Sequence, residues 1–162
     1  MDEVFKNIDI EKRDRIINSA LEEFSKNRYN KASTNNIVKN AGISKGLLYH
    51  YYKSKKELYE YLEMFVFETI IDAINKNIDW DESDIFERIK QIAVIKLEVA
   101  KNYPYIFQFF LLVYEAKSVE DIKKMTEKFS PELYKQIYNH NIDYTKFKDN
   151  IDVEKSVNIV RW

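Results

Sequence analysis

Apolar positions along this chain return every three or four residues almost throughout, the period of a helix and not of a strand. Asp9 can cap a first helix whose Ile10, Ile17, Ala20, Leu21 and Phe24 fall on one stripe. Ser33 or Thr34 can cap a short second helix with Ile37, Val38 and Ala41 inward. Gly42 sits where a glycine ends such a helix, because it takes left-handed backbone without a Cβ clash. Ser44 can then cap a third helix, Lys45 to Tyr51, with Leu48 and Tyr52 turned to the core. Ser54 opens a long helix predicted from Lys55 to about Asn77, striped by Leu58, Leu62, Phe65, Val66, Thr69, Ile70 and Ala73. Tyr61, Phe67, Ile71 and Ile74 widen its apolar surface beyond one face, the pattern of a helix packed on both sides that bridges two units.

Downstream, Asp84 with Glu87 resembles a capping box opening a helix to about Lys101. Pro104 suits the first turn of another, to about Ala116. Ser118 with Asp121, and Ser130 before Pro131, mark two further starts. After a polar loop around Asp143 to Asn150, a last helix is expected near Asp152, with Val153, Val157 and Val160 at i, i+4 and i+7. That pattern is still running at Trp162, so the expectation is of a chain cut short inside an amphipathic helix. Two glycines and two prolines are too few for the turns of a sheet protein, and the fold class expected is all-α. The division expected is a domain over residues 1–53 and a second over 54–162, joined through the long helix without a flexible linker.

Charge changes this picture more than composition does. The formal net charge is only −1, yet residues 1–56 hold twelve Lys/Arg against seven Asp/Glu, and residues 57–162 hold fourteen against twenty. Between Phe24 and Lys56 there are eight basic residues and no acidic one. A basic block ahead of an acidic remainder points to a polyanion at one end of the molecule. The absence of cysteine excludes disulfides, thiolate metal sites and cysteine nucleophiles. The two histidines, His50 and His140, lie in different halves with no clustered carboxylates beside them, so neither a metal site nor an enzyme is expected. The acidic stretch Asp79 to Asp84 lacks the ligand spacing and central glycine of a cation loop and reads as a solvated connection, and His140 reads as an exposed helix end. The longest apolar run, Ile106 to Tyr114, is too short to span a bilayer, and no signal peptide precedes it, so a cytoplasmic protein without cofactor is expected.

The second and third helices, joined by Ala41-Gly42-Ile43-Ser44, form a helix-turn-helix within the acid-free block. An α-helix fits the major groove of DNA, and the second helix of such a pair presents its N-terminal residues to base edges. Here those residues begin Lys45-Gly46-Leu47-Leu48-Tyr49-His50-Tyr51. Lys45 can donate to guanine, Gly46 removes a side chain where backbone and DNA come close, and Tyr49, His50 and Tyr51 can donate to phosphates or bases. Thr34, Ser44 and the helix N-termini can hold phosphate oxygens, as can Lys55.

Residues 10–60 resemble the DNA-binding domain of the TetR family of one-component repressors. The resemblance runs through Ile17, Ala20 and Phe24, then Thr34, Ile37-Val38, Ala41-Gly42-Ile43-Ser44-Lys45-Gly46, Leu48-Tyr49, Tyr52-Lys53-Ser54-Lys55 and Leu58. It implies an all-α homodimer with three N-terminal helices on a palindromic operator and a C-terminal bundle for effector and dimer contact. It further implies that Thr34, Ser44, Lys45, Gly46, Tyr49, His50, Tyr51 and Lys55 touch DNA, with Lys45, Gly46 and His50 as base readers. Arg28 departs from the family, standing where a glycine usually turns the chain, a strain of about 1 kcal/mol at a position remote from the groove. Tyr51 and Tyr52 stand where His and Phe are common.

The second half is less legible. Phe65, Tyr103, Phe107, Phe110, Tyr114 and Met125 are candidates for the wall of an effector pocket, though aromatic residues fill cores more often than they hold ligands. The function expected is a transcriptional regulator, a repressor released from DNA by a small molecule. The rival is a helical protein-interaction scaffold whose basic end is merely solvated.

Overall fold

The computed structural model describes residues 8–129, 132–148, 150–152 and 155–156. Among them secondary structure is helical: α1 (Ile10–Lys31), α2 (Thr34–Ala41), α3 (Lys45–Tyr52), α4 (Lys55–Asn77), α5 (Ile85–Asn102), α6 (Ile106–Ala116), α7 (Val119–Phe129), α8 (Leu133–Asn139) and a 3-10 turn at Tyr144–Lys146. The expected helix start at Ser130-Pro131 and the valine stripe Val153, Val157 and Val160 lie outside the described residues.

Asp9 caps α1 as its sequence predicts, its carboxylate accepting the Lys12 amide at 3.1 Å. The packed stripe of α1 starts at Ile16 and not at Ile10 as expected. Ile16, Ile17, Ala20, Leu21 and Phe24 are buried, whereas Ile10 is 68% exposed. Near its end α1 breaks at Arg28, which holds φ 54° and ψ 171°, the region that glycine alone enters without strain. The break turns Tyr29 across the protein, with its ring 6.3 Å from Phe24 and 5.1 Å from Tyr59.

α2 lacks the side-chain cap expected of Ser33 or Thr34. Its start is held from α1 instead: the carboxylate of Glu23, only 6% exposed, accepts the Ser33 amide at 2.8 Å and the Asn36 side chain at 3.3 Å. An acceptor at this end satisfies a donor that the helix cannot satisfy itself and complements its dipole. Gly42 ends α2 in the left-handed conformation, φ 65°. Ser44 caps α3 through the Leu47 amide at 3.1 Å, and Ser54 caps α4 through the Glu57 amide at 3.0 Å.

α4 is buried on two sides, as its wide apolar surface predicts. Leu58, Leu62, Val66, Phe67, Ile70, Ile71 and Ile74 are buried, and the helix packs against α1 and α3 as well as α5, α6 and α7. Phe65, Thr69 and Ala73, placed on the main stripe by sequence, are only half-buried. The apolar core runs unbroken from α1 into α6, where Phe109 sits 6.3 Å from Phe24 and 5.2 Å from Tyr59.

Asp84 caps α5 through the Phe86 and Glu87 amides, but the reciprocal half of the expected capping box is absent. Glu82, not Glu87, reaches the Asp84 amide, and Glu87 pairs with Lys90. Pro104 lies in the turn ahead of α6, and Ser118 with Asp121 opens α7 as expected. Arg88, with no exposed surface, donates to the carbonyls of Gln136, Ile137 and His140 at the end of α8 and to those of Trp80 and Glu82. The acidic connection Asp79 to Asp84 is therefore pinned by its backbone to a buried guanidinium while Asp79 and Asp81 stay exposed. His140 is exposed at the end of α8, edge-on to Trp80.

Candidate nucleic-acid interface

The turn Gly42 to Ser44 sets α3 across α2, and Leu48 and Tyr52 fix α3 to the core by burial. Fixing two positions four residues apart leaves the opposite face outward. Ser44, Lys45, Gly46 and His50 are exposed, and Tyr49 and Tyr51 are half-buried. Burial pushes the Tyr52 phenol well above its ordinary range, in keeping with a ring turned inward.

The structure brings three of the residues singled out from sequence into one group. The hydroxyls of Thr34, on the first turn of α2, and Tyr49, on α3, lie 3.2 Å apart in a hydrogen bond. The Lys45 ammonium stands 6.0 Å from the centre of the Tyr49 ring. Two hydroxyls, a cation and the amides at the start of α2 thus share a small surface suited to a phosphate oxygen. Ser44 Oγ already accepts the Leu47 amide and keeps its own proton to donate. The His50 ring lies 5.4 Å from that of Tyr51, edge to face.

Gly46 is not required by packing. A Cβ there would meet nothing closer than Ser44 Oγ at 4.0 Å, and the residue is exposed. A helical glycine costs roughly 0.5–1 kcal/mol relative to alanine, so its place on the outward face is uncompensated within the free protein.

Lys55 has support that the sequence does not reveal. Its ammonium lies 4.8 Å from the Tyr29 ring centre, and Tyr29 reaches that position through the break at Arg28. Glu23 and Tyr29 were missed by sequence reasoning: a carboxylate on the largely buried side of α1 and a tyrosine beyond its expected stripe carry no motif. The absence of any capping bond at Ser33 is visible only once α1 and α2 are packed.

The aromatic candidates of the second half are not brought to one cavity. Phe65 stacks near Tyr61 and meets Tyr103 edge-on at 5.1 Å, lining a groove of about 340 Å³ between α1, α4 and the turn from α5 to α6. Phe110 and Tyr114 lie with Phe67 on the other side of α4, while Phe107 and Met125 pack against the core. The turn itself is tied to α1. The Tyr103 hydroxyl donates to Asp14 at 3.1 Å, that of Tyr105 to Glu22 at 3.3 Å, and Asn18 donates to the Asn102 carbonyl at 3.0 Å. Burial, with the Asp14 carboxylate next, pushes the Tyr103 phenol up to about 12, so it stays a protonated donor near neutrality.

Residues 16–62 match the family model described as bacterial regulatory proteins, tetR family. The chain is 28% identical over 105 residues to the nucleoid occlusion factor SlmA of Vibrio campbellii, covering 62% of this chain and 53% of that protein. It is 25% identical over 136 residues to the biofilm operon icaADBC HTH-type negative transcriptional regulator IcaR of Staphylococcus aureus, covering 83% of this chain and 66% of that one. Among solved structures, it is similar to a tetR family transcription regulator from Shewanella sp. PV-4, with TM-score 0.54 and 26% identity over 75% of this chain and 62% of the other. The chain thus spans about half the length of the first of these curated relatives. No described helix is long and apolar enough to cross a membrane.

Proposed function

We propose that the chain is a regulator of the tetR family, as the match over residues 16–62 supports, and that it is a repressor which binds a palindromic operator as a homodimer and leaves it when a small molecule binds. Transcription regulation through a DNA-binding helix-turn-helix is the family's activity; repression, effector release and the residue roles are our reading. The observation that carries it is the outward face of α3, where Lys45, Gly46 and His50 stand exposed beside the hydrogen-bonded pair Thr34 and Tyr49. Lys45, Gly46 and His50 would meet base edges. Thr34, Ser44, Tyr49, Tyr51 and Lys55 would hold phosphates and set the register. The name of the staphylococcal relative, a negative regulator, supports repression over activation.

In this reading α4 carries the signal, since it belongs to the core of both halves and starts at Lys55. Two recognition helices must stand one helical turn apart on DNA, ~34–36 Å, so a small rotation of each α4 suffices for release. Acting on DNA places the protein in the cytoplasm. Selection of bound sequences from a random duplex pool at low salt is the test. Recovery of an inverted repeat is expected. Equal binding of all duplexes, or none, would overturn the reading in favour of a helical scaffold with a solvated basic end.

A further inference from the structure

We propose that Leu47 is a further base reader of α3, and that it recognises the methyl group of a thymine in the operator. The proposal rests on the DNA-binding reading and adds to it an apolar contact beside the polar ones. Leu48 and Tyr52, both buried, fix the inward side of α3. Residue 50 follows 46 by four and 47 by three, so Gly46, Leu47 and His50 share the side turned away from the core. Gly46 and His50 are exposed and Leu47 is half-buried. Among the described residues, Val38 and Ile43 of the same helix-turn-helix pack on the core as half-buried apolar side chains, and Leu47 does not. Core packing therefore does not account for a leucine here. Single apolar residues are common on protein surfaces, but this one is held firmly within a polar face. Its amide donates to Ser44 Oγ at 3.1 Å, and the residue that follows it is anchored in the core.

The chemistry of the major groove selects the partner of such a side chain. Base edges there present hydrogen-bond donors and acceptors, and the thymine methyl is the apolar group among them. A leucine set against a purine acceptor would strip it of water and offer no donor in return. Set against a thymine methyl, it removes two apolar surfaces from water together. Gly46 makes the approach possible. It carries no side chain, and a Cβ built there would meet nothing nearer than Ser44 Oγ at 4.0 Å, so the duplex can come close to the backbone beside Leu47. Lys45 and His50, which carry donors, are left to neighbouring base pairs.

The test uses the whole chain and a fluorescein-labelled duplex recovered by selection from random sequence. Each thymine is replaced in turn by deoxyuridine, which removes the methyl group and keeps every hydrogen-bonding group of the base. At one thymine position of each half-site the affinity should fall about fourfold, the worth of one buried methyl. Leu47→Ala should bind the thymine and deoxyuridine duplexes equally, and no more tightly than the wild type binds the deoxyuridine duplex. Leu47→Met keeps a long apolar side chain and should restore the discrimination. Without DNA, the thermal midpoint of Leu47→Ala should match that of the wild type, since no core contact is lost. Discrimination kept by Leu47→Ala, no thymine sensitive to its methyl group, or a lowered midpoint would each overturn the assignment and leave DNA binding in place. Failure of the wild type to bind any duplex would instead overturn the DNA-binding reading, and this contact with it.

Discussion

Lys45 and Tyr49 lie within reach of each other, yet the proposed interface gives them different work. Lys45 is exposed at the first position of α3, where a side chain can enter the groove, while the Tyr49 hydroxyl is held by Thr34. Lys45→Ala should cost about 1–3 kcal/mol of operator binding and relax the choice of one base pair. Tyr49→Phe should weaken all duplexes alike, as loss of a phosphate contact does. Binding to a panel of single-base operator variants separates the two, and sequence-blind losses from both would remove Lys45 from the base readers. Gly46 sharpens the same argument. Since a Cβ meets only open space there, Gly46→Ala should raise stability of the free protein by up to about 1 kcal/mol while lowering operator affinity. A thermal midpoint that rises together with affinity would mean that close approach of the α3 backbone plays no part.

At the scale of elements, α2 and the break in α1 are built from outside themselves. Glu23 supplies the acceptor that α2 lacks at its own start, so Glu23→Gln should destabilise the N-terminal helices by about 1–2 kcal/mol, read as a lower unfolding midpoint. An unchanged midpoint would make that contact idle. Arg28 pays for the break with left-handed backbone, and Arg28→Gly should relieve about 1 kcal/mol of strain without altering the fold, again by thermal unfolding. The sequence reading sets Arg28 apart from the groove, but Tyr29 joins it to Lys55, so the strain serves a proposed phosphate contact. Helix positions, Gly42, and the caps at Asp9, Ser44, Ser54 and Ser118 were legible because they depend on neighbours within a turn. Glu23, Arg88 and the division of the aromatic residues by α4 were not. Each depends on a partner far along the chain, such as Gln136 for Arg88, and no periodicity encodes which carbonyl a buried guanidinium will find. The capping box failed for a related reason, because Lys90 offers Glu87 a charge that competes with the amide of Asp84.

For the whole molecule, charge segregation sets how the proposed complex with DNA would form and how strongly salt would oppose it. Within the acid-free block, Lys26 is drawn away by Glu22 at 2.5 Å and Lys56 by Glu60 at 3.6 Å, both on the same helix four residues away. Lys45 and Lys55 instead lie against tyrosine rings, which hold a cation in place without neutralising it. In the proposed complex hydroxyls and backbone amides would supply the remaining phosphate contacts, and such neutral donors release no counterions. A dimer that neutralises phosphates with Lys45 and Lys55 of each subunit should therefore show a modest slope of log affinity against log salt, roughly −4 at ~0.9 per lysine. Lys55→Gln should make that slope shallower by about 2 per dimer, since each subunit loses one charge. Tyr49→Phe should leave the slope unchanged while lowering affinity. Fluorescence anisotropy of a selected duplex across a salt series measures all three slopes. A complex indifferent to salt would exclude phosphate contact through these lysines. A slope twice as steep would bring in the exposed Lys31, Lys39 and Lys53 as further contacts and widen the interface beyond α3.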